Sequence, residues 1–329
     1  MNKTNNLTSR SLAQIEPVKI GVSACLLGKP VRFDGGHKLN RFIAKSLSGH
    51  AHLKAICPEV EAGFATPRPV MQLRQMGKDI RLLVSKDATQ DLTAQMNHYA
   101  RCRVSELADL DGYIFKKNSP SCGLIQVPVV SNQDGYRRKE GIGLFAKAFV
   151  ERFPLIPVEE EGRLNDARLR ENFFERIYAY RRWKSIEDAD SNVHGFIQFH
   201  SRHKLMLMAR GSSYYQELGR MVSGTTKSDL LQRRQAYIYR FMEIMSLIST
   251  PGRQVNVLQH ILGYLKQVLS REDKQELLSV FEAYRQRQLP LITPITLLRH
   301  HLRIHPQTYI SQQHYLEPYP EQLGFRSFL

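Results

Sequence analysis

The sequence contains few cysteines, a single tryptophan and no long apolar run. Four cysteines in 329 residues are too few for the disulfide framework of a small secreted protein. No run of apolar residues approaches the length of a membrane span, and the polar N-terminus lacks the apolar core of a signal peptide. We therefore expect a cytoplasmic protein without a membrane partner, whose thiols stay reduced.

The sequence also has fewer acidic than basic residues. Residues 1–160 carry 23 Lys+Arg against 15 Asp+Glu, and residues 161–329 carry 24 against 16, which gives the whole chain a net charge of +16. Because both halves are equally basic, the charge does not belong to a separate tail. An excess of this size favours a polyanionic partner, nucleic acid before membrane. The alternative is a generically basic protein.

The pattern of apolar residues changes near residue 160. Short β-branched or aromatic runs predict strands before it, at Val18–Ser23, 53–56, 80–85, Gly112–Phe115 and 155–158, with helices at 90–110 and 141–152. Almost only helical patterns follow. The predicted fold is α/β, a small parallel-sheet N-terminal domain with flanking helices, followed by an all-α C-terminal domain. The predicted boundaries are a polar extension at 1–16, a sheet domain at 17–160 and a helical domain at 161–329, with charged residues 158–163 as the linker.

Three of the four cysteines lie just beyond predicted strands. Cys25 is in SACLLG, Cys57 in CPE and Cys122 in SPSCG. Ligands of open α/β sheets bind in the crevice beyond the carboxyl ends of the strands, where three thiols could converge. Such a set suits an iron–sulfur cluster better than disulfides, and three ligands would leave one iron of a four-iron cluster open to substrate. Zinc is the alternative metal.

Cys102 differs because it falls inside a predicted helix. We interpret it as a small apolar packing residue. If it were a fourth cluster ligand, the site would be closed and better suited to electron transfer than to catalysis.

Polar residues beside the cysteines provide further candidates. Glu59 follows Cys57 by two residues and is a candidate general acid/base. Ser119 and Ser121 flank a proline in the turn before Cys122, where turn hydrogen bonding is the commonest role of serine. Candidate contacts to substrate or phosphate are Asp34, His37, Lys38, Arg68, Lys116 and Lys117. Solvated surface charge is the alternative for the lysines.

The helical half interleaves basic and aromatic residues. Two clusters, at 178–183 and 233–240, combine arginines with tyrosines or Trp183 and could contact phosphates and unpaired bases. Rings at helical spacing are more often core. A denser polar run contains His200, Arg202, His203 and Lys204, and His200, His203 and His260 are an alternative metal group.

The motifs of the first half resemble the TudS-type thiouracil desulfidase family. They are SACLLG with VRFDGGHK, CPEVEAGFATPRP, KKNSPSCG and GIGLFA, in that order over about residues 18–150. The resemblance implies a 4Fe-4S cluster held by Cys25, Cys57 and Cys122, with Glu59 and Ser119 as catalytic residues. Its open iron would take sulfur from a thiolated pyrimidine.

The second half resembles a YbgA-type helical domain. The segments are FHSRHKLMLMAR, YQELGRMV, GRQVNVLQHILGYLK, PLITPITLLRHHL and YLEPYP. Together the two halves are similar to RudS tRNA 4-thiouridine desulfidases, which implies that this domain helps to hold tRNA. His200, Arg202, Lys204, Arg253 and Lys266, with Ser121, are the remaining candidate contacts to substrate or RNA.

The function that we expect is therefore tRNA 4-thiouridine desulfidation, which gives uridine and sulfide without net redox. The charge of +16 agrees, since a tRNA enzyme gains affinity from many contacts to phosphates. One alternative is a desulfidase of free thiouridine monophosphate or thiouracil. Another is a non-catalytic iron–sulfur sensor that binds nucleic acid, with Cys102 as the fourth ligand.

Overall fold

The structure is a computed structural model that describes residues 17–131, 135–188 and 192–327. The predicted polar extension at 1–16 lies outside the described residues. The chain divides into two compact units, Met1–Asn165 and Asp166–Leu329. The first unit is α/β and the second is helical, as the sequence predicts.

Two sheets form the framework of the first unit. In chain order the strands are β1 Val18–Ser23, β2 Ala51–Ile56, β3 Met71–Met76, β4 Asp79–Val84, β5 Asp87–Asp91, β6 Gly112–Phe115, β7 Val127–Ser131, β8 Arg137–Gly141 and β9 Val158–Glu160. One sheet has the order β2-β1-β6-β9, and all its pairs are parallel. The other has the order β5-β4-β3-β7-β8 and is antiparallel except between β3 and β7.

The parallel sheet is close to its prediction, whereas most of the second sheet is new. Strands β3, β5 and β8 of this second sheet carry many polar residues, and β8 has the sequence RRKEG, whereas β7 is mostly apolar. The predicted linker at 158–163 was wrong, because Val158–Glu160 pairs with β6 and the side chains of Glu159 and Glu160 are buried. The two carboxylates receive hydrogen bonds from within the unit, which is what makes charged residues tolerable in a buried strand.

The first unit also contains helices, and the last of them packs against the parallel sheet. They are α1 Pro58–Glu61, α2 Thr93–Ser105 and α3 Leu144–Arg152, with a π-helix at Phe42–Ser46. The rings of Tyr113 and Phe115 on β6 stack with their centroids 4.0 Å apart, and Phe149 of α3 lies 5.0 Å from Tyr113. Gly21 of β1 is required here, since a Cβ atom would lie 2.4 Å from the Tyr113 ring.

The second unit is built from helices. They are α4 Ala167–Asp188, α5 Val193–Arg202, α6 Lys204–Met208, α7 Ser212–Val222, α8 Leu230–Ser246, α9 Pro251–Leu265, α10 Arg271–Arg285, α11 Ile292–Ile304 and α12 Thr308–Ser311. Its core contains the aromatic side chains of Trp183, Phe199, Tyr237 and Phe241. Within the described residues, every helix is too short or too polar to cross a membrane.

Candidate active site beyond the parallel strands

The three cysteines lie beyond the ends of β1, β2 and β6. Cys25 is in a 3-10 helix that continues β1, Cys57 is the residue between β2 and α1, and Cys122 lies in the turn after β6. All three line one cavity of about 580 Å³, which we call the thiol cavity. Cys25 and Cys122 are buried and Cys57 is half-buried. The strand ends thus bring together three residues that are distant in sequence.

The first turn of α3 holds the SPSC turn that contains Cys122. Backbone N–H groups of Leu144 and Phe145 donate to the carbonyl oxygens of Pro120 and Ser121, at 3.1 and 3.0 Å. A Cβ atom on Gly143 would lie 2.5 Å from the carbonyl oxygen of Ser121, so only glycine allows this approach. The otherwise unpaired amides at the start of α3 therefore fix the Cys122 turn, which explains why GIGLFA accompanies SPSCG.

A carboxylate of the CPEVE segment fixes Cys57. The backbone N–H of Cys57 donates to Oε1 of Glu61 at 2.9 Å, and Oε2 of Glu61 receives the hydroxyl of Tyr99 and Nε of Arg103. Glu61 was not among the sequence candidates. Its position four residues after Cys57, in the first turn of α1, was the signal that could have indicated this role.

Both oxygens of the Glu59 carboxylate accept hydrogen bonds. Nε of Arg68 donates to Oε2 at 2.9 Å, and a second N–H of the same guanidinium contacts that oxygen. The hydroxyl of Ser121 donates to Oε1 at 2.9 Å, and that of Ser119 lies 3.4 Å away. The carboxylate lines the thiol cavity but is only 13% exposed. Its fixed position beside the thiols is one that suits a proton-transfer group.

Arg68 does not have the phosphate-binding role that we predict for it. Besides its two contacts to Glu59, the guanidinium donates to the carbonyl oxygens of Val31 and Ala65 and to the hydroxyl of Thr66. All five of its N–H groups are thus engaged within the unit. Its geometry is that of a group that orients Glu59.

The two serines of the turn occupy different environments. Ser119 lines the thiol cavity, and its hydroxyl oxygen accepts the backbone N–H groups of Ser121 and Cys122 at 3.2 and 3.0 Å. Ser121 is fully buried and is absent from the cavity lining. Of the two, only Ser119 is therefore placed to meet a molecule in the cavity.

The chemistry of the thiols fits an iron–sulfur cluster. Burial raises the pKa of Cys25 to about 11 and also raises the pKa values of Cys57 and Cys122, and the neighbouring sulfurs add to the shift at Cys25 and Cys122. Among the described residues, no three His, Cys, Asp or Glu side chains converge closely enough to hold a single metal ion. Three thiols that line one cavity are the kind of ligand set that holds an iron–sulfur cluster.

Basic side chains surround the thiols. Lys38, Lys116, Lys117 and Arg32 all line the thiol cavity, and Arg32 was not a sequence candidate. Nζ of Lys116 pairs with Glu161, whose other oxygen accepts the backbone N–H of Lys117 at 2.7 Å. Within the described part of the chain, the side chains of Lys38 and Lys117 have no hydrogen-bond or ion-pair partner. The positive lining suits an anionic substrate or released sulfide.

Three other candidates of the first unit lie outside the cavity lining. Asp34 accepts the backbone N–H of Gly36 in its own loop, and Nδ1 of His37 accepts that of Leu39. Cys102 is exposed on α2, so its predicted packing role was wrong. Since it does not line the thiol cavity, nothing in the geometry favours it as a fourth ligand.

Several of the histidine and aromatic candidates on the helical unit lie in its core. Trp183 and Tyr237 are buried, as are His200 and His203. Nδ1 of His200 shares a hydrogen bond with the Tyr237 hydroxyl, and Nδ1 of His203 donates to the carbonyl oxygen of Phe199. The structure places His200, His203 and His260 in no metal-binding group among the described residues. Exposed or half-exposed candidates are Arg202, Lys204, Arg253 and Lys266.

Lys204 lies in an aromatic group that the sequence did not indicate. Its Nζ is 5.5 Å from the ring centroid of Tyr215 and 5.7 Å from that of Tyr309. The Tyr309 ring stacks on that of Tyr264 at 5.9 Å. We call Lys204, Tyr215, Tyr264 and Tyr309 the Lys204 patch. Its tyrosines come from distant segments, so no local sequence pattern could reveal it.

Comparisons with known proteins divide the chain in the same way. Residues 20–161 match the family described as 2-thiouracil desulfurase, and residues 204–320 match a family described as protein of unknown function DUF1722. The uncharacterized protein YbgA of Escherichia coli (strain K12) is 26% identical over 152 residues, which are 46% of this chain and 90% of that protein. The solved 4Fe-4S-dependent thiouracil desulfidase TudS is 30% identical, with 45% of this chain and 94% of that chain covered and a TM-score of 0.36.

Proposed function

Because the chain belongs to the 2-thiouracil desulfurase family through residues 20–161 and joins this TudS-like domain to a YbgA-type domain, we propose that it removes sulfur from 4-thiouridine in tRNA. The observation that carries the proposal is the thiol cavity, where Cys25, Cys57 and Cys122 lie beside an oriented Glu59. The overall reaction replaces the thiocarbonyl sulfur at C4 with oxygen from water and releases hydrogen sulfide, so no electrons are gained or lost.

The three cysteines would hold a 4Fe-4S cluster, which supplies, when bound, an iron without a protein ligand as a Lewis acid for the sulfur of the base. The chain's own residues do the remaining work. Glu59 takes a proton from the attacking water through its cavity-facing carboxylate and later returns it to the leaving sulfur or ring nitrogen. Arg68 keeps that carboxylate in one orientation, and Ser119 donates a hydrogen bond at the same place.

Lys38 and Lys117 would bind the backbone phosphate of the reacting nucleotide, since both line the cavity and neither side chain has a partner among the residues that the structure describes. The base must leave its stack to enter, at a cost of a few kcal/mol. Backbone contacts of a long polyanion offset such a cost, which is why the charge of +16 favours tRNA over a free nucleotide. On the helical unit, the Lys204 patch offers rings and a cation of the kind that bind unpaired bases.

The experiment that tests this function compares two substrates. Anaerobically reconstituted protein is incubated with bulk bacterial tRNA and, in parallel, with free thiouridine monophosphate, and both the near-ultraviolet absorbance of 4-thiouridine and released sulfide are followed. We expect tRNA to lose sulfur, with a rate at low substrate that falls steeply as salt rises, because each released counterion contributes to the salt slope.

The free nucleotide remains the second candidate, since the thiol cavity of about 580 Å³ lies within the size range of small-molecule sites. Turnover of the nucleotide alone, little affected by salt, would replace the tRNA proposal with this one. No turnover of either substrate by protein with an intact cluster would contradict both.

A further inference from the structure

A second cavity, inside the helical unit, plays no part in the proposed desulfidation. Its volume is about 310 Å³, at the lower end of the range for small-molecule sites. Its lining includes Arg210, Gln254 and Leu291, which come from three of the motifs typical of this domain. We call it the helical cavity. The proposed desulfidation assigns no role to these three residues.

Three helices begin at the helical cavity. Ala167 is the first residue of α4, Pro251 is the first residue of α9, and Leu291 directly precedes α11. Each helix start carries partial positive charge. One helix ends there, α10, but its last carbonyl oxygens already accept the backbone N–H groups of residues 286–288. The first amides of α4 and α9 are likewise engaged, by the Asp166 carboxylate and the Thr250 hydroxyl, so the attraction for an anion comes chiefly from the arginines of the lining.

The interior of the helical cavity holds a network of ion pairs. Among the described residues of this network, Nε of Arg210 is a donor without an acceptor. Glu175 contacts Arg210 and accepts an N–H of Arg326 at 3.1 Å, and Nε of Arg326 donates to Glu171 at 2.8 Å. Arg210 is only 2% exposed, and its Nε has no hydrogen-bond partner among the described residues. A buried donor without an acceptor is unfavourable, so this N–H is a place for a polar atom of a ligand.

Two arginines at the edge of the cavity remain available. Arg168 and Arg287 line it, are exposed, and have no hydrogen-bond or ion-pair partner in the described part of the chain. Arg287 has a φ of +59°, a conformation that non-glycine residues adopt at some cost. With Arg210 and Arg326, four guanidiniums face two carboxylates, Glu171 and Glu175, and leave the lining positive.

Apolar side chains complete the lining, among them Ile248, Leu289 and Phe325. A bare inorganic ion would leave these walls uncovered. We propose that the helical cavity binds an organic phosphate of about nucleotide size. Its phosphate would lie between Arg168 and Arg287 near the helix starts, and its uncharged part would fill the interior and offer an acceptor to Nε of Arg210. The phosphate could belong to a free nucleotide or to an RNA end, which have the same chemistry.

Hydrogen–deuterium exchange of the full-length protein, read by mass spectrometry, tests this proposal and also reports which cavity is occupied. The probes are uridine monophosphate, uridine, inorganic phosphate and a 5′-phosphorylated RNA dinucleotide. The test variant combines Arg168→Ala with Arg287→Asn, since asparagine tolerates a positive φ. The control variant combines Arg220→Ala with Arg271→Ala, which removes the same charge from exposed positions outside the cavity lining.

We expect uridine monophosphate to slow exchange at the starts of α4 and α9 and in residues 284–292, in the wild type and the control. The test variant should bind about tenfold more weakly or worse, because one charge-assisted hydrogen bond corresponds to roughly a factor of ten. Protection by the dinucleotide but not by the mononucleotide would support the site and assign it to RNA.

Two results would overturn the proposal. One is protection by inorganic phosphate or uridine equal to that by both phosphorylated probes, and the other is equal binding by the test and control variants. Binding at the thiol cavity would protect different segments, around residues 25, 57 and 122. Failure of the desulfidase function therefore leaves this test unaffected, and Cys25→Ala protein should show the same protection.

Discussion

The polar residues of the sequence motifs occupy different environments in the two units. In the first unit, Cys25, Cys57 and Glu59 follow buried strands and line a cavity. In the second, His200 and His203 of the motif FHSRHKLMLMAR are buried in the core. The residues that follow a parallel strand lie at the carboxyl edge of the sheet, where a crevice forms. A helix continues, so a polar residue on its inner face is enclosed by neighbouring helices.

The ion pairs show the same contrast. Glu59 and Arg68 border the thiol cavity, with side chains 13% and 5% exposed, and their pairing orients the Glu59 carboxylate. Glu175 and Arg210 are 4% and 2% exposed and belong to a larger buried network. Similar residue pairs therefore hold a single carboxylate beside a cavity in one unit and form part of a larger buried network in the other.

The largest expected effect is that of Cys25→Ala. Loss of one of three cluster ligands should abolish both the visible absorbance of the reconstituted protein and its desulfidase activity. Cys102→Ala is the matched control, because Cys102 is exposed and outside the thiol cavity, and it should keep both. A Cys25→Ala protein that retained cluster and activity would refute the site assignment.

Glu59→Gln separates catalysis from cluster binding. The variant keeps the shape of the side chain but cannot accept a proton, so kcat should fall by about 10²–10⁴-fold while the visible absorbance is unchanged. Glu106→Gln, at an exposed carboxylate on α2's C-terminal side, is the control. An unchanged kcat would remove Glu59 from the mechanism.

Arg210→Met tests the buried pair of the helical unit. Removing one partner leaves carboxylate charge poorly compensated in the core, so the variant should lose about 3 kcal/mol of unfolding free energy. Urea unfolding followed by Trp183 fluorescence measures it, since the single tryptophan of the chain lies in this unit's core. The double variant Arg210→Met with Glu175→Met should recover part of the loss. Additive losses would show that the two residues are not coupled.

Acid should destabilise the helical unit first. Burial lowers the pKa of His203 to about 3 and that of His200 to about 4, whereas the histidines described in the first unit are exposed or half-exposed. The unfolded chain therefore binds more protons below pH 6.5, and stability present above that pH is lost as the pH falls towards 4. His203 alone should contribute about 2 kcal/mol of loss by pH 5.

Urea midpoints from Trp183 fluorescence between pH 7 and 5 measure this change. His203→Gln should show a flatter pH dependence than the wild type. A midpoint independent of pH would contradict the conclusion that His200 and His203 are buried and uncharged in the folded protein.

Arg68→Lys should have the smallest effect. Lysine keeps the charge but not the two-point contact to Glu59, so kcat should fall by about tenfold with little change in KM. The split between kcat and KM distinguishes an orienting role from phosphate binding, which would raise KM instead. Arg74→Lys, at a half-buried arginine of β3 outside the thiol cavity, is the control.

Patterns of a few residues predicted much of the first unit. Apolar runs gave β1 and β6 with their bounds, and the cysteines after them indicated where the site lies. In the second sheet, the predicted strand at 80–85 corresponds to β4, but β5 and β8 were missed because β8 is almost entirely charged and β5 is polar. Such strands form because partners are already in place, not because their own side chains favour burial. For the same reason, the charged residues of β9 resembled a linker.

The sequence by itself determined the α/β-then-helical order, the net charge and the three thiols that follow strands. These features depend on local periodicity or composition, which the chain carries with it. Tertiary structure alone decided that Arg68 orients Glu59, that Ser119 and not Ser121 lines the cavity, and that Tyr215, Tyr264 and Tyr309 gather around Lys204. Each of these depends on which side chains meet across distant segments, and such contacts are set by packing of the whole unit.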